Sequence, residues 1–276
     1  MIKRKKHSIR NKIIFYFTMF LIGIIISFKE LEKTHQEIDN KYNDLLFEMT
    51  FKSLSNKTYF DILKDEEQEE KITDNNPIIY IYNTHDKEEY ARNANFSFVP
   101  TVSVVNNILK EKFNSNNINV LVEQRSIRDL LTLYNWSYSY SYKASRLYID
   151  EVRKNYPSIK YFIDVHRDSL VKTRTTVTIN NKDYATILFI VGLDNPTYQA
   201  NLNFTEMINN KINEKYPGLS KGILKKSGQG VNGVYNQDAS PYSILIEVGG
   251  YQNNLYEVLN TSLAFYECFM EVINEI

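Results

Sequence analysis

Ile78-Ile79-Tyr80-Ile81-Tyr82-Asn83-Thr84-His85 and Tyr161-Phe162-Ile163-Asp164-Val165-His166 are the two stretches that decide the fold. Each is an apolar run of strand length that ends on a histidine. A third run, Ser243-Ile244-Leu245-Ile246, ends on Glu247 and is followed by Val248-Gly249-Gly250. Short, near-continuous apolar runs suit strands buried on both faces. Between them lie helical patterns. Val102, Val105, Leu109 and Phe113 repeat at helical spacing, Tyr142 to Asn155 reads as a helix before the second histidine strand, and Ile118 to Glu123 reads as a strand. Asn195-Pro196 predicts an N-cap followed by proline at the first helical position. That helix carries Tyr198, Leu202, Ile208 and Ile212 and stops at Pro217-Gly218. A last helix carries Leu255, Leu259, Phe265, Phe269 and Val272-Ile273. Thr173 to Ile179 and Tyr184 to Val191 predict a hairpin turning at Asn180-Asn181-Lys182-Asp183. Strands alternating with helices imply an α/β domain with a mostly parallel twisted sheet and helices on both faces.

Composition bounds the partners. Lys+Arg and Asp+Glu are 33 each in 276 residues. A formal net charge of zero argues against nucleic acid, which demands a basic footprint. The single cysteine, Cys268, lies among Phe265, Phe269 and Met270, so it reads as a buried thiol, and no intramolecular disulfide can form. Residues 1–28 combine a basic leader with the uncharged run Ile13 to Phe28, about sixteen residues long and close to the lower end of a membrane span. No small-residue cleavage site follows, since the next residues are Lys29-Glu30-Leu31-Glu32. The expectation is an uncleaved signal anchor, with the basic end cytoplasmic and the rest on the extracytoplasmic side; a cleaved signal peptide is the alternative. Residues 29–76 read as a charged stalk ending in the acidic tract Asp65 to Glu70, and residues 77–276 as the catalytic domain.

The chain has four histidines. His7 and His35 fall in the leader and the stalk, whereas His85 and His166 sit at strand ends, where α/β folds gather their ligands. Glu88, three residues past His85, makes the first site H-x-x-E. His85, Glu88 and His166 are therefore candidate ligands of a catalytic Zn2+, with Glu247 as the proton-transferring base. H-x-x-E alone occurs by chance, and a lone strand-end histidine is more often structural; the reading rests on all four groups reaching strand ends of one domain. Glu123 also ends a strand, and under the family resemblance given below it is the fallback for the acidic ligand. Asp168 is a candidate to orient an imidazole, with Arg167 its alternative ion-pair partner.

Beyond these residues, the chain resembles the stage II sporulation protein P family, membrane-anchored peptidoglycan amidases of spore-forming bacteria. The resemblance is carried by His85-Asp86-Lys87-Glu88, Ser139-Tyr140-Ser141-Tyr142-Lys143-Ala144-Ser145-Arg146 and Tyr161 through Asp168. It continues in Val191-Gly192-Leu193-Asp194-Asn195, Tyr216-Pro217-Gly218, Gly233-Val234-Tyr235-Asn236-Gln237-Asp238 and Ser243 through Gly250. It implies the fold of zinc-dependent N-acetylmuramoyl-L-alanine amidases, with His85 and His166 matching metal ligands and Glu247 the catalytic glutamate. It also implies cleavage between muramic acid and the stem peptide during engulfment, in some members cleavage of peptide cross-links, and a complex with sporulation stage II proteins D and M. Asn236 and Gln237 are candidate substrate contacts. The competing readings are a zinc carboxypeptidase-like enzyme, with Arg146 or Arg174 clamping a free carboxylate, and a non-catalytic wall-binding module on the same fold.

Overall fold

The computed structural model describes residues 76–92 and 99–276. The leader, the apolar run and the acidic tract, on which the anchor and stalk readings rest, lie outside them. Among the described residues no helix is long and apolar enough to cross a membrane.

The strands and helices occur in the order β1 (Ile79–Tyr82), α1 (Ser103–Asn114), β2 (Val120–Val122), α2 (Ile127–Leu133), α3 (Ser141–Asn155), β3 (Tyr161–Asp168), α4 (Lys172–Thr175), β4 (Thr176–Ile179), β5 (Lys182–Ala185), β6 (Ile187–Gly192), α5 (Tyr198–Lys215), β7 (Ser220–Lys226), β8 (Tyr242–Gly250) and α6 (Leu255–Glu275). The main sheet runs β2-β1-β3-β8-β6-β7. Neighbours are parallel except at β8/β6, where the pairing is antiparallel. The expected mostly parallel sheet is present, with one reversal. The amino end of β6 therefore lies beside the carboxyl end of β8, with Ile187 opposite Val248 and Leu188 opposite Glu247.

Alternation along the strands sorts side chains onto two faces. Ile79, Ile81, Ile163, Val165, Ile244, Ile246 and Val248 join one core with Val105, Leu109 and Phe113 of α1, Phe204, Ile208 and Ile212 of α5, and Phe265 and Phe269 of α6. Tyr80, Tyr82 and Phe162 face the other way and pack against Ile149 and Val152 of α3. Burying each large apolar side chain contributes roughly 1.5–3 kcal/mol, so this double layer fixes which residues of β3 and β8 face α3. Asp164, His166 and Glu247 fall on that α3 side by the same alternation.

Three local expectations change. The predicted hairpin is cut in two: Thr176–Ile179 pairs with Lys182–Ala185 as a separate two-stranded sheet, and Ile187–Gly192 joins the main sheet. Its turn is the residue pair Asn180-Asn181, with φ of 51° and 60°, a left-handed pair that asparagine tolerates. Asn195 does not cap α5. Its Oδ1 accepts from Thr197 N and Thr197 Oγ1, both at 3.0 Å, so Thr197 holds the cap position and the helix starts at Tyr198. Edge strand β7 was not anticipated; its three lysines mask it. The last helix opens with a capping box, Asn254 Oδ1 accepting from Glu257 N and Asn254 N donating to Glu257 Oε2, both at 3.0 Å.

Candidate active site

The carboxyl ends of β1, β3 and β8 bring His85, Glu88, His166 and Glu247 to one end of the sheet. His166 on β3 lies directly alongside Glu247 on β8 in register. Strands are about 4.8 Å apart, so same-face neighbours of this kind project into one space. The rings of His85 and His166 are 5.2 Å apart in an edge-to-face arrangement. Glu88 Oε2 is 3.6 Å from His166 Nδ1 and accepts a 2.9 Å hydrogen bond from the Arg167 backbone N–H. Glu123 lies elsewhere: it is held by Arg125 through Nε and Nη2, both at 2.8 Å, and by the Tyr80 hydroxyl at 2.7 Å. Of the two acidic candidates, only Glu88 is with the histidines.

Asp164, two residues before His166 and therefore on its face, was not singled out by the sequence reading. It is fully buried. Its Oδ1 accepts from Thr84 N at 2.9 Å and lies 3.0 Å from His166 Nε2, and its Oδ2 accepts from Thr84 Oγ1 at 2.7 Å. The Thr84 and Ser145 hydroxyls are 2.9 Å apart, and Asn236 Nδ2 donates to Ser145 Oγ at 2.9 Å and to Tyr142 O at 3.0 Å. A buried polar chain thus runs from the loop at Asn236 through Ser145 of α3 and Thr84 to Asp164, beside the His166 ring. Asp164, rather than Asp168, is the carboxylate beside the His166 ring; Asp168 Oδ1 accepts from Leu170 N at 3.0 Å. Arg167 does not pair with the Asp168 carboxylate; Nη1 donates to its backbone oxygen at 3.2 Å and Nε to Glu89 O at 2.8 Å.

Asn236 and Gln237 are buried rather than presented to a substrate. The Gln237 side chain accepts from Gly192 N at 2.9 Å and donates to Ile190 O at 2.7 Å, closing the end of β6. Asn236 serves the polar chain just described.

The electrostatics divide the two carboxylates of the site. Burial would raise the Glu88 pKa, but His166 and the Arg167 N–H hold it below the usual carboxylate value. Burial pushes Glu247 up, and Asp168 adds to the shift against an opposing His166. Burial would lower His166, yet Asp164 and Glu88 overcome it and raise it to about 10. His85, where burial dominates, is lowered. The two carboxylates are shifted in opposite directions, the pattern by which acid–base roles separate in a shared site.

No three His, Cys, Asp or Glu side chains among the described residues already close as a metal-binding group. The residues nevertheless suit zinc on two grounds. His85 Nδ1 is buried without a hydrogen-bond partner, a condition that native structures rarely leave unmet. Two imidazoles and one carboxylate are a zinc donor set, and a buried carboxylate behind a ligand histidine is the usual supporting group. Tyr138 stacks on His85 at 4.7 Å and Tyr142 lies edge-on at 5.7 Å, screening the ring from water.

Comparison with known proteins places these residues in a family context. A model of the stage II sporulation protein P family matches residues 26–270. The stage II sporulation protein P of Bacillus subtilis (strain 168) is 31% identical over 210 residues, which make up 73% of this chain and 52% of that protein. The chain thus spans about half the length of that curated relative. Among solved structures it is similar to the CwlD amidase from Clostridioides difficile in complex with the GerS lipoprotein, at 13% identity and a TM-score of 0.46 over 72% of this chain and 99% of that one. Cwp6 from Clostridium difficile aligns at 10% identity and a TM-score of 0.46, over 73% of this chain and 30% of its own.

Proposed function

The chain belongs to the stage II sporulation protein P family, and on that premise we propose that it is a peptidoglycan hydrolase, a zinc-dependent N-acetylmuramoyl-L-alanine amidase acting in sporulation. The observation that carries the reading is the meeting of His85, Glu88 and His166 with Glu247, which lies in register beside His166 and has a raised pKa. His85, Glu88 and His166 would hold the zinc. When bound, the ion supplies Lewis acidity that polarises the amide carbonyl and acidifies a water. Glu247 takes a proton from the attacking water as the new C–O bond forms. It returns that proton to the departing nitrogen as the C–N bond breaks, leaving a carboxylate on the lactyl group of muramic acid and a free amine on L-alanine. Tyr138, stacked on His85, helps to exclude bulk water. The Ile13 to Phe28 run would tether the domain on the extracytoplasmic face of the cell membrane, and sporulation stage II proteins D and M would be its partners.

The test is the full chain in detergent, wild type beside Glu247→Gln, assayed for zinc content and for release of stem peptides from purified peptidoglycan. Both should bind about one zinc, and the variant should be slower by ~10²–10⁴-fold, the usual contribution of a general base. New amino termini should appear on L-alanine. Cleavage of free peptides but not of glycan-linked stems would favour the carboxypeptidase-like reading. A wild type that binds no metal and leaves the wall intact would leave only the wall-binding module.

A further inference from the structure

Beside His85 and Glu88 the surface opens into a cleft of about 310 Å³, bounded by Glu88, Leu131, Tyr138, Lys87, Arg128 and Arg167. Its charges are unevenly satisfied. The Asp86 carboxylate accepts from Ser126 Oγ at 2.8 Å and lies 3.7 Å from Lys87 Nζ. Glu88 is bound by the Arg167 N–H and faces His166. The two guanidinium groups, by contrast, face no carboxylate at ion-pair distance among the described residues. Arg125, Arg146 and Arg153 are each paired with acidic side chains, whereas Arg92 and Arg174, outside the cleft, face none at that distance among the described residues. Arg167 is also pre-positioned. Its Nε and Nη1 donate to the backbone oxygens of Glu89 and Asp168, which fix the side chain but leave its charge unneutralised.

We propose that this cleft is a subsite for a carboxylate on the stem peptide, with Arg128 and Arg167 as its counter-charges. The inference rests on the hydrolase reading, and it names the part of the substrate held beside the reacting amide. A planar guanidinium matches a carboxylate with two parallel hydrogen bonds, and a side chain already ordered loses little entropy in making them. Tyr138 joins the subsite to the catalytic end, since the ring that walls the cleft also stacks on His85. Arg146 and Arg174, the arginines suggested by sequence, do not line it; Arg146 is consumed by Asp150 and Asp238.

The test uses the full chain carrying Glu247→Gln, which binds without turnover. A soluble disaccharide-linked stem peptide is titrated calorimetrically in three forms: free acid, side-chain carboxylate amidated, and C-terminal carboxylate amidated. One amidated form should bind about tenfold to a hundredfold more weakly than the free acid, the range for a lost charge-assisted contact. That form identifies which carboxylate is held. Adding Arg128→Ala should weaken the free acid by a similar factor and leave the weak amidated form unchanged, while Arg128→Lys recovers part of the loss. In the catalytically intact chain, Arg128→Ala should raise KM with kcat preserved. The proposal is overturned if the parent binds none of the three forms, if amidation has no effect, or if Arg128→Ala weakens all three equally. A charge preference in binding, with no cleavage by the wild type, would uphold the subsite and sink the hydrolase reading.

Discussion

Replacing Asp164 with asparagine tests whether the buried polar chain, rather than His85, Glu88 and His166 alone, sets the proposed zinc site. Asp164 Oδ1 accepts from Thr84 N at 2.9 Å and Oδ2 from Thr84 Oγ1 at 2.7 Å, and Oδ1 also lies 3.0 Å from His166 Nε2. Asparagine keeps the shape and one oxygen, which the Thr84 N–H retains. The amide nitrogen then faces the Thr84 hydroxyl, which must turn away and accept. A charge-assisted bond of roughly 1.5–3 kcal/mol becomes a neutral one of roughly 0.5–1.5, so stability should fall by about 1–2 kcal/mol. His166 also loses the carboxylate that orients its ring, and such supporting groups typically change metal affinity 10–100-fold. Chelator competition should therefore show zinc bound at least tenfold more weakly by Asp164→Asn, with urea unfolding reporting the stability change. Asp168→Asn, whose oxygen caps Leu170 N instead, should leave zinc affinity within about twofold. Equal zinc affinity in the wild type and Asp164→Asn, or a larger loss in Asp168→Asn, would refute the assignment.

Other outcomes follow from single contacts. Gly250→Ala places a Cβ 2.2 Å from Leu170 O; overpacking of this kind costs about 1–3 kcal/mol, which calorimetry should register as a Tm lower by ~2–10 °C. Phe269→Ala, fully buried among Tyr161, Phe204 and Phe265, should cost about 3–5 kcal/mol in denaturant unfolding. Burial would raise Glu123, but Arg125 and Tyr80 hold it below the usual carboxylate value. A depressed folded pKa contributes stability that is present above the unfolded value of about 4.3 and lost as pH falls through the folded value. Glu123→Gln should therefore flatten the acid limb of a stability–pH curve, and an unchanged limb would show that the ion pair contributes nothing.

The strands that carry His85, His166 and Glu247 were legible because buried parallel strands are written as apolar runs, and the residue ending each run is delivered to the sheet end. Asp164 was equally available, since alternation puts position 164 on the face of 166; a charged residue inside an otherwise apolar strand is the signal that was passed over. Two features had no local signature. The reversal of β6 depends on how the chain crosses the sheet, not on Ile187 to Gly192 themselves. Ser220-Lys221-Gly222-Ile223-Leu224-Lys225-Lys226 looks like a loop because edge strands carry lysine to block further pairing. Asn236 and Gln237 are candidate substrate contacts only through the segment that carries the family resemblance, since their chemistry alone assigns no role; the packed fold spends them on backbone groups.

Alternation along β3 puts Asp168 on the face of His166 too, close enough to Glu247 to push its pKa up, but Asp168 Oδ1 is taken by Leu170 N at 3.0 Å. His166 pairs with Glu247, but Asp168 pairs with Gly250, so β8 holds one extra residue between the two pairs. Gly249 absorbs it with φ of 62°, where a Cβ would sit 2.7 Å from Asn253 Oδ1 and 2.8 Å from Ala185 Cβ. The bulge breaks the ladder just past the site, as bulges beside active sites commonly do to re-aim a side chain. Neither Gly249 nor Gly250 has a side chain, and Val248 joins the opposite core. Glu247 is thus the last side chain that β8 projects on the α3 side. With no side chain on either glycine, nothing on β8 beyond Glu247 covers its half-buried carboxylate on the His166 side.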